Sequence, residues 1–310
     1  MLGHMNTFHL LLTCCLATGT LCAAAPKKTA PAAKDKPAAA QAVDKKAKLT
    51  RDAKCRQVLA ECTVNGKKAI MMLDTGASHT VLAKSFVEKS IPDAQKVDTS
   101  QMTANSNSAR QQMPDIYQVQ LGVNGRKLEH YALCLPLDGV QQSMATPIDG
   151  ILGIDVLGDM EFTFDLREGG EGCYWGLPKD VDGMAVMEPL RVDRLNRPVM
   201  LIDTGTKEAP HQVALLLDTG ASVTCVLPKD WPAGAEAEEK TVGVADVNGA
   251  AKATVKYGKP VTVSLAKGVK VKMAPQLQGG NADGIIGMDA LEGLRFAHRG
   301  SGSVRFLISK

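Results

Sequence analysis

Residues 69–78 read AIMMLDTGAS, and residues 213–222 read VALLLDTGAS. Each is an apolar run that ends in Leu-Asp-Thr-Gly-Ala-Ser. Apolar runs of this length, bounded by turn signals, are the pattern of buried strands. The turn signals stand eight residues before each Asp, at Gly66 in VNGKK and at Pro210 in EAPHQ.

The match continues downstream. After Asp74 come IYQVQL and KLEHYALCL, divided by Val123-Asn124-Gly125. After Asp218 come PVTVSLA and VKVKMA, divided by Lys267-Gly268. Both are hairpin patterns. Further on, DGILGIDVL at Asp149–Leu157 matches DGIIGMDAL at Asp283–Leu291. The extra residues of the first copy fall in PLDGVQQSMATPIDG. A long internal repeat of this kind predicts one structural unit used twice. The chain is therefore expected to be mainly β, with two homologous lobes.

A third Asp-Thr-Gly, at Asp203, lies 15 residues before Asp218. At the same distance before Asp74 stands Leu59, within VLAECTVNG, and no Asp-Thr-Gly occurs there. Asp203 also lacks the following Ala-Ser. A motif counts only in its context, so Asp203 is read as a decoy.

The phrase LDTGASHTVL, its second copy LDTGAS, and the Ile-Leu-Gly and Ile-Ile-Gly followers resemble the aspartic proteases. The Ala after each Gly is nearer to the retropepsin branch than to pepsin-like enzymes. The duplication is similar to exported bacterial aspartyl proteases, and the resemblance covers about residues 55–310. It implies two closed-barrel-like lobes about a pseudo-two-fold axis, with a cleft between them. It implies an aspartic endopeptidase with Asp74 and Asp218 catalytic. Thr75 and Thr219 would each bond the opposite loop. Gly76, Ala77, Ser78, Gly220, Ala221 and Ser222 would complete the loops. Ile151, Leu152 and Gly153, with Ile285, Ile286 and Gly287, would run beneath and support them. A flap is implied near Asn105–Asn107 or Asn248-Gly249. The expected partner is a peptide or protein substrate, with no cofactor and no metal.

The chemistry asks for such a pair. Two carboxyls a few Å apart cannot both ionise, so they share one proton. Ala77 and Ala221 carry no hydroxyl to stabilise the ionised form, which predicts mildly acidic to near-neutral activity. Asp155 and Asp289 stand at probable helix starts and are read as N-caps. His79 is read as a loop residue. Two other readings stand beside the enzyme. One is a non-catalytic peptide-binding or scaffold protein that keeps the fold. The other is a protease that pairs lobes between chains, where the fused repeat favours a monomer.

The 310 residues suffice for two domains. Aromatics are only 4%, so burial is expected to rest on Leu, Val, Ile, Met and Ala. Residues 1–25 carry no Asp, Glu, Lys or Arg, while residues 26–50 carry seven Lys and two Asp. The net charge of +3 thus belongs to that segment, and residues 51–310 are slightly acidic. No basic patch interleaved with aromatics appears, which argues against nucleic-acid binding. Residues 1–25 read as a signal peptide, so the chain is expected to be exported, periplasmic or secreted. An uncleaved signal anchor, the one expected route to a membrane, and a lipoprotein are the alternatives. Residues 26–52 read as a disordered Ala/Pro/Lys-rich tether, with an inhibitory pro-segment as the alternative. The lobes are placed at 53–178 and 187–310. Outside the signal, five Cys remain, and most are read as buried small side chains.

Overall fold

A computed structural model describes residues 8–10, 47–98, 114–187, 191–193, 196–204, 211–227, 231, 236–246, 249–277, 284–300 and 305–310. Strands dominate, and the four α-helices among these residues are four to seven residues long. None is long and apolar enough to cross a membrane.

The first apolar run forms the strand Lys67–Leu73, in a hairpin with Val58–Val64. Asn65 and Gly66, at φ 49° and 77°, make the tight turn. Lys67–Leu73 runs parallel to Gly150–Leu152, which also pairs with Val81–Ala83. Val81–Ala83 lies parallel to the end of Arg126–Leu135. The hairpin partner of that strand, Asp115–Val123, returns to Val58–Val64. Six strands thus close on themselves around a core of Val58, Met71, Leu82, Leu121 and Ile151. Closure leaves no unpaired edge between these strands.

The second lobe repeats the circuit. Pro198–Asp203 pairs with Gln212–Leu217, then with Gly284–Ile286, Cys225–Val226 and Gln276–Leu277 in turn. The hairpin Val261–Ala266 and Val269–Met273 closes the ring back onto Asp203. The strand that is continuous as Arg126–Leu135 in the first lobe is here cut in two at Ala274-Pro275. Proline has no N–H to give to a ladder.

Strand register corrects one alignment. Leu59 pairs with Met72, two residues before Asp74, whereas Val199 pairs with Leu216, two before Asp218. Leu59 therefore matches Val199, and the counterpart of Asp203 is Thr63, not Leu59. The equal-spacing alignment failed because the second hairpin carries a longer turn, 204–211, than Asn65-Gly66.

A five-stranded sheet joins the lobes. Its order is Gly172–Trp175, Phe162–Asp165, Arg295–His298, Phe306–Ser309, Ala185–Met187. Two strands that follow the first lobe, Gly172–Trp175 and Phe162–Asp165, are joined there to the two last strands of the chain, and Ala185–Met187 covers the far edge. The scarce aromatics gather here: Phe162, Phe164, Phe296, Phe306 and Trp175 are all buried, with ring centroids 5.1–6.4 Å apart in successive contacts. Aliphatic burial dominates the lobes, where Phe86 and Trp231 are buried as well, but not this sheet. Asp165, buried in it, pairs with Arg167 at 2.7 Å and with Arg295 at 3.3 Å. Those two guanidiniums hold its carboxyl at about 2 against the cost of burial.

Residues 47–52, assigned to the tether from the sequence, have a place in the fold instead. Lys48 bridges to Tyr174, Leu49 is buried, and Thr50–Arg51 pairs with Val58–Val64. An apolar Leu flanked by strand-competent Thr gives residues 47–52 a place in the fold. Residues 26–46 lie outside the described residues. So do residues 1–25 except Phe8–Leu10, which pairs in parallel with Gly243–Ala245. The flap candidate at Asn105–Asn107 is also outside. The other forms a hairpin, Glu236–Asp246 with Gly249–Gly258, whose tip at Asn248 is outside.

Candidate active site

Each Asp-Thr-Gly begins where its buried strand stops. Asp74 N–H donates to the Leu152 carbonyl, and Asp218 N–H to the Ile286 carbonyl, both at 3.0 Å. Ile154 N–H then reaches the Ala77 carbonyl at 2.8 Å, and Met288 N–H the Ala221 carbonyl at 2.9 Å. The Ile-Leu-Gly and Ile-Ile-Gly elements are therefore each bonded to the loop of their own lobe. Gly153 and Gly287 are required by packing, since a Cβ there would press into the backbone of His79 and Val223.

The two loops lock into each other. Thr75 Oγ1 donates to the Leu217 carbonyl at 2.7 Å, and Thr219 Oγ1 donates to the Leu73 carbonyl at 2.9 Å. Each threonine oxygen also accepts the other's backbone N–H, at 3.1 and 3.2 Å. All four groups are buried, where a satisfied network holds one geometry tightly. The glycines face across the axis. A Cβ on Gly76 would land on the Asp218 carboxyl, and one on Gly220 on the Asp74 carboxyl.

The carboxyls are thus brought side by side and buried. Each inner oxygen accepts two backbone N–H bonds. Asp74 Oδ1 takes Gly76 and Ala77 at 2.8 and 2.9 Å, and Asp218 Oδ1 takes Gly220 and Ala221 at 2.9 and 3.0 Å. The Oδ2 atoms are buried and have no donor among the described residues, and the two carboxyls interact directly with each other. Burial raises both pKa values, Asp74 to about 6 and Asp218 well above the usual carboxylate range. The neighbouring Asp74 charge pushes Asp218 up further.

Residues 60–156 match the aspartyl protease family, and residues 194–297 match the retroviral aspartyl protease family. The chain is a tandem of two retropepsin-like aspartic protease domains. No curated protein matches it. In this protease tandem the matched segments span both Asp-Thr-Gly loops and both supporting elements.

The remaining candidates fall in different places. Ser222 is buried and donates to the Cys55 carbonyl at 3.1 Å, whereas Ser78 is half-buried and bonds His79 at 2.8 Å. His79 itself is exposed. Asp203 is exposed, opposite Gln212 on the hairpin. Six strand positions, about 20 Å, separate Gln212 from Asp218.

Asp155 and Asp289 are not N-caps. They lie within the first turn of Ile154–Leu157 and Met288–Leu291, whose Gly caps make no side-chain bond. Asp155 instead accepts Thr80 N–H and Oγ1 at 2.8 and 2.9 Å. Asp289 accepts Thr224 N–H and Oγ1 at 2.8 and 2.7 Å. The Thr hydroxyls in turn accept Gly153 and Gly287 N–H. Both threonines stand six residues after their Asp, so the repeat carried the signal. Cys55, Cys62, Cys134, Cys173 and Cys225 are all free thiols, four of them buried.

Sequence reasoning missed a second pair of loops. Asp52–Gln57 and Asp193–Arg197 each close with Asp N–H donating to the carbonyl of the last residue, at 2.8 and 3.0 Å. Arg56 and Asn196, at φ 70° and 61°, make the same left-handed step in each. Gln57 Nε2 then reaches across to the Gly220 carbonyl at 3.1 Å, and Arg197 Nη1 to the Gly76 carbonyl at 3.4 Å. Only a gapped alignment, extended upstream of the hairpins, would have paired them.

Proposed function

We propose that this chain is an aspartic endopeptidase whose one active site uses Asp74 from the first lobe and Asp218 from the second. The observation that carries it is the buried carboxyl pair, fixed by reciprocal Thr75 and Thr219 bonds. With one proton between them, the ionised carboxyl takes a proton from water, and the protonated one polarises the scissile carbonyl. The attacking water thus becomes a nucleophile between the two acids. The raised pKa values favour activity in mildly acidic to near-neutral solution. Both acids come from one chain, which supports a monomer as the active form, and the leader composition supports export to a periplasm or the exterior.

The test is digestion of a peptide library by the purified chain, with and without pepstatin. Internal cleavage that is lost in both Asp74→Asn and Asp218→Asn is expected. A dilution series should leave the specific activity unchanged. No cleavage of any peptide between pH 4 and 8 (about the span the raised pKa values allow) would favour a binding or scaffold role.

A further inference from the structure

The two loops that brace the loop glycines share a closing bond and a left-handed residue but differ in charge. On one side, Gln57 is fully buried and uncharged, and donates to the Gly220 carbonyl and to Ser222 Oγ at 2.9 Å. Its loop begins with Asp52, a buried carboxylate. Burial works against that charge, but the backbone N–H groups of Cys55, Lys54, Thr146 and Ala145 hold the carboxyl at about 2. On the other side, Arg197 carries a guanidinium to the Gly76 carbonyl, with Asp193 bonded to its Nε and Nη2 at 2.7 Å. A buried carboxylate thus belongs to the loop that braces Gly220, and an ion pair to the loop that braces Gly76, where the Arg197 charge favours the ionised form of Asp74.

We infer that Arg197 is a positioning residue that decides which carboxyl is ionised: lying against the Gly76 carbonyl, it keeps Asp74 as the base, while Gln57 at the matching place leaves Asp218 with the proton. A symmetric pair of acids has no reason to prefer either partner. A cation nearer one of them lowers the cost of ionising that one. The backbone donors to the two carboxyls are matched within 0.1 Å and cannot make the choice. Asp155 behind Thr80 and Asp289 behind Thr224 also occupy matching places, although His130 accompanies only Asp155, at 3.1 Å. The Cys225 thiol on the Asp218 side is kept neutral by burial. Arg56 is exposed and reaches Glu292 at 3.8 Å. The assignment deepens the proposed function: Asp74 would take the proton of water, and Asp218 would serve the scissile carbonyl.

The test separates this inference from the protease reading. The intact chain is labelled with 13C at the Asp carboxyl carbons, and the two resonances are assigned through Asp74→Asn and Asp218→Asn. Asp74 is expected to lose its proton at the lower pH. Arg197→Gln should raise that step by about one pH unit, the size of a nearby charge partly offset by its counter-ion. Asp193→Asn, which leaves the cation uncompensated, should lower it. Arg197→Lys should restore the order. A purely structural brace would move Arg197→Gln and Asp193→Asn in the same direction. Opposite shifts support the inference. Shifts of one sign, no shift, or Asp218 ionising first in the wild type overturn it. The acid limb of kcat/KM on one peptide should follow the same signs. Opposite NMR shifts in a chain that cleaves nothing would sink the protease reading and leave the charge assignment standing.

Discussion

The two lobes agree at their centre and differ toward their edges. Around the carboxyls, the central bonds of one lobe have partners in the other: Thr75 with Thr219, Thr80 with Thr224, Leu152 with Ile286. A few residues away the likeness fails. The first hairpin turns on Asn65-Gly66, and the second needs residues 204–211. The first lobe adds the helix Asp138–Ser143, and the second breaks a strand at Pro275. The likeness is tightest where the threonine of each loop bonds the other loop, because there a change on one side must be answered in its opposite.

The sharpest test of that symmetry is at the acids. Asp74→Asn and Asp218→Asn should each lower kcat/KM by about 10,000-fold or more, since a pair that shares one proton fails as a unit. A large difference between them would break the comparison. The same variants read out on stability. A carboxyl whose folded pKa is raised keeps its proton in the fold after the unfolded chain has released it. Stability should therefore fall as pH rises from the ordinary Asp value of 3.8 through about 6. Asp218→Asn should flatten that fall in urea melts taken across the window.

Next in size are the glycines. Gly76→Ala and Gly220→Ala each drive a methyl onto the opposite carboxyl. Overpacking of this kind costs about 1–3 kcal/mol. Matching losses of Tm from both, with activity falling further than stability, would sharpen the symmetry. The threonines come third. Thr80→Val and Thr224→Val each remove a hydroxyl bond to a carboxylate, worth about 1.5–3 kcal/mol. Thr224→Val should cost more, because Asp289 is left without the His130 contact that Asp155 keeps. Equal losses in thermal melts would show that His130 contributes nothing.

Smallest is Asp203→Asn, expected to leave kcat/KM and Tm within error of wild type. Its Asp-Thr-Gly shows what a tripeptide can and cannot tell. The loops at Asp74 and Asp218 were legible because their chemistry is local: an apolar strand, a Gly that admits its neighbour, and a supporting element of the same pattern. The hairpins were legible from their turn signals, whereas the closure of the rings was only implied by the family resemblance. The bracing loops at Gln57 and Arg197 were not legible, because their work is done on a residue more than a hundred positions away, and nothing in a short window reports such a contact. The roles of Asp155 and Asp289 were missed for the same reason. Their threonine partners lie 75 and 65 residues upstream, while the N-cap rule looks only at the next turn.

The five-stranded sheet between the lobes also sets a timetable. Phe162–Asp165 is flanked by Gly172–Trp175 on one side and by Arg295–His298 on the other. The second partner is synthesised more than a hundred residues later. Until then the nascent first lobe has an open sheet edge, a lone Asp74, and no Thr219 to order its loop. Pairings so distant along the chain are slow to form. A ribosome-bound fragment that ends before Asp218 thus holds half of the acid pair, and the proposed hydrolysis would have to wait until translation has run past both lobes.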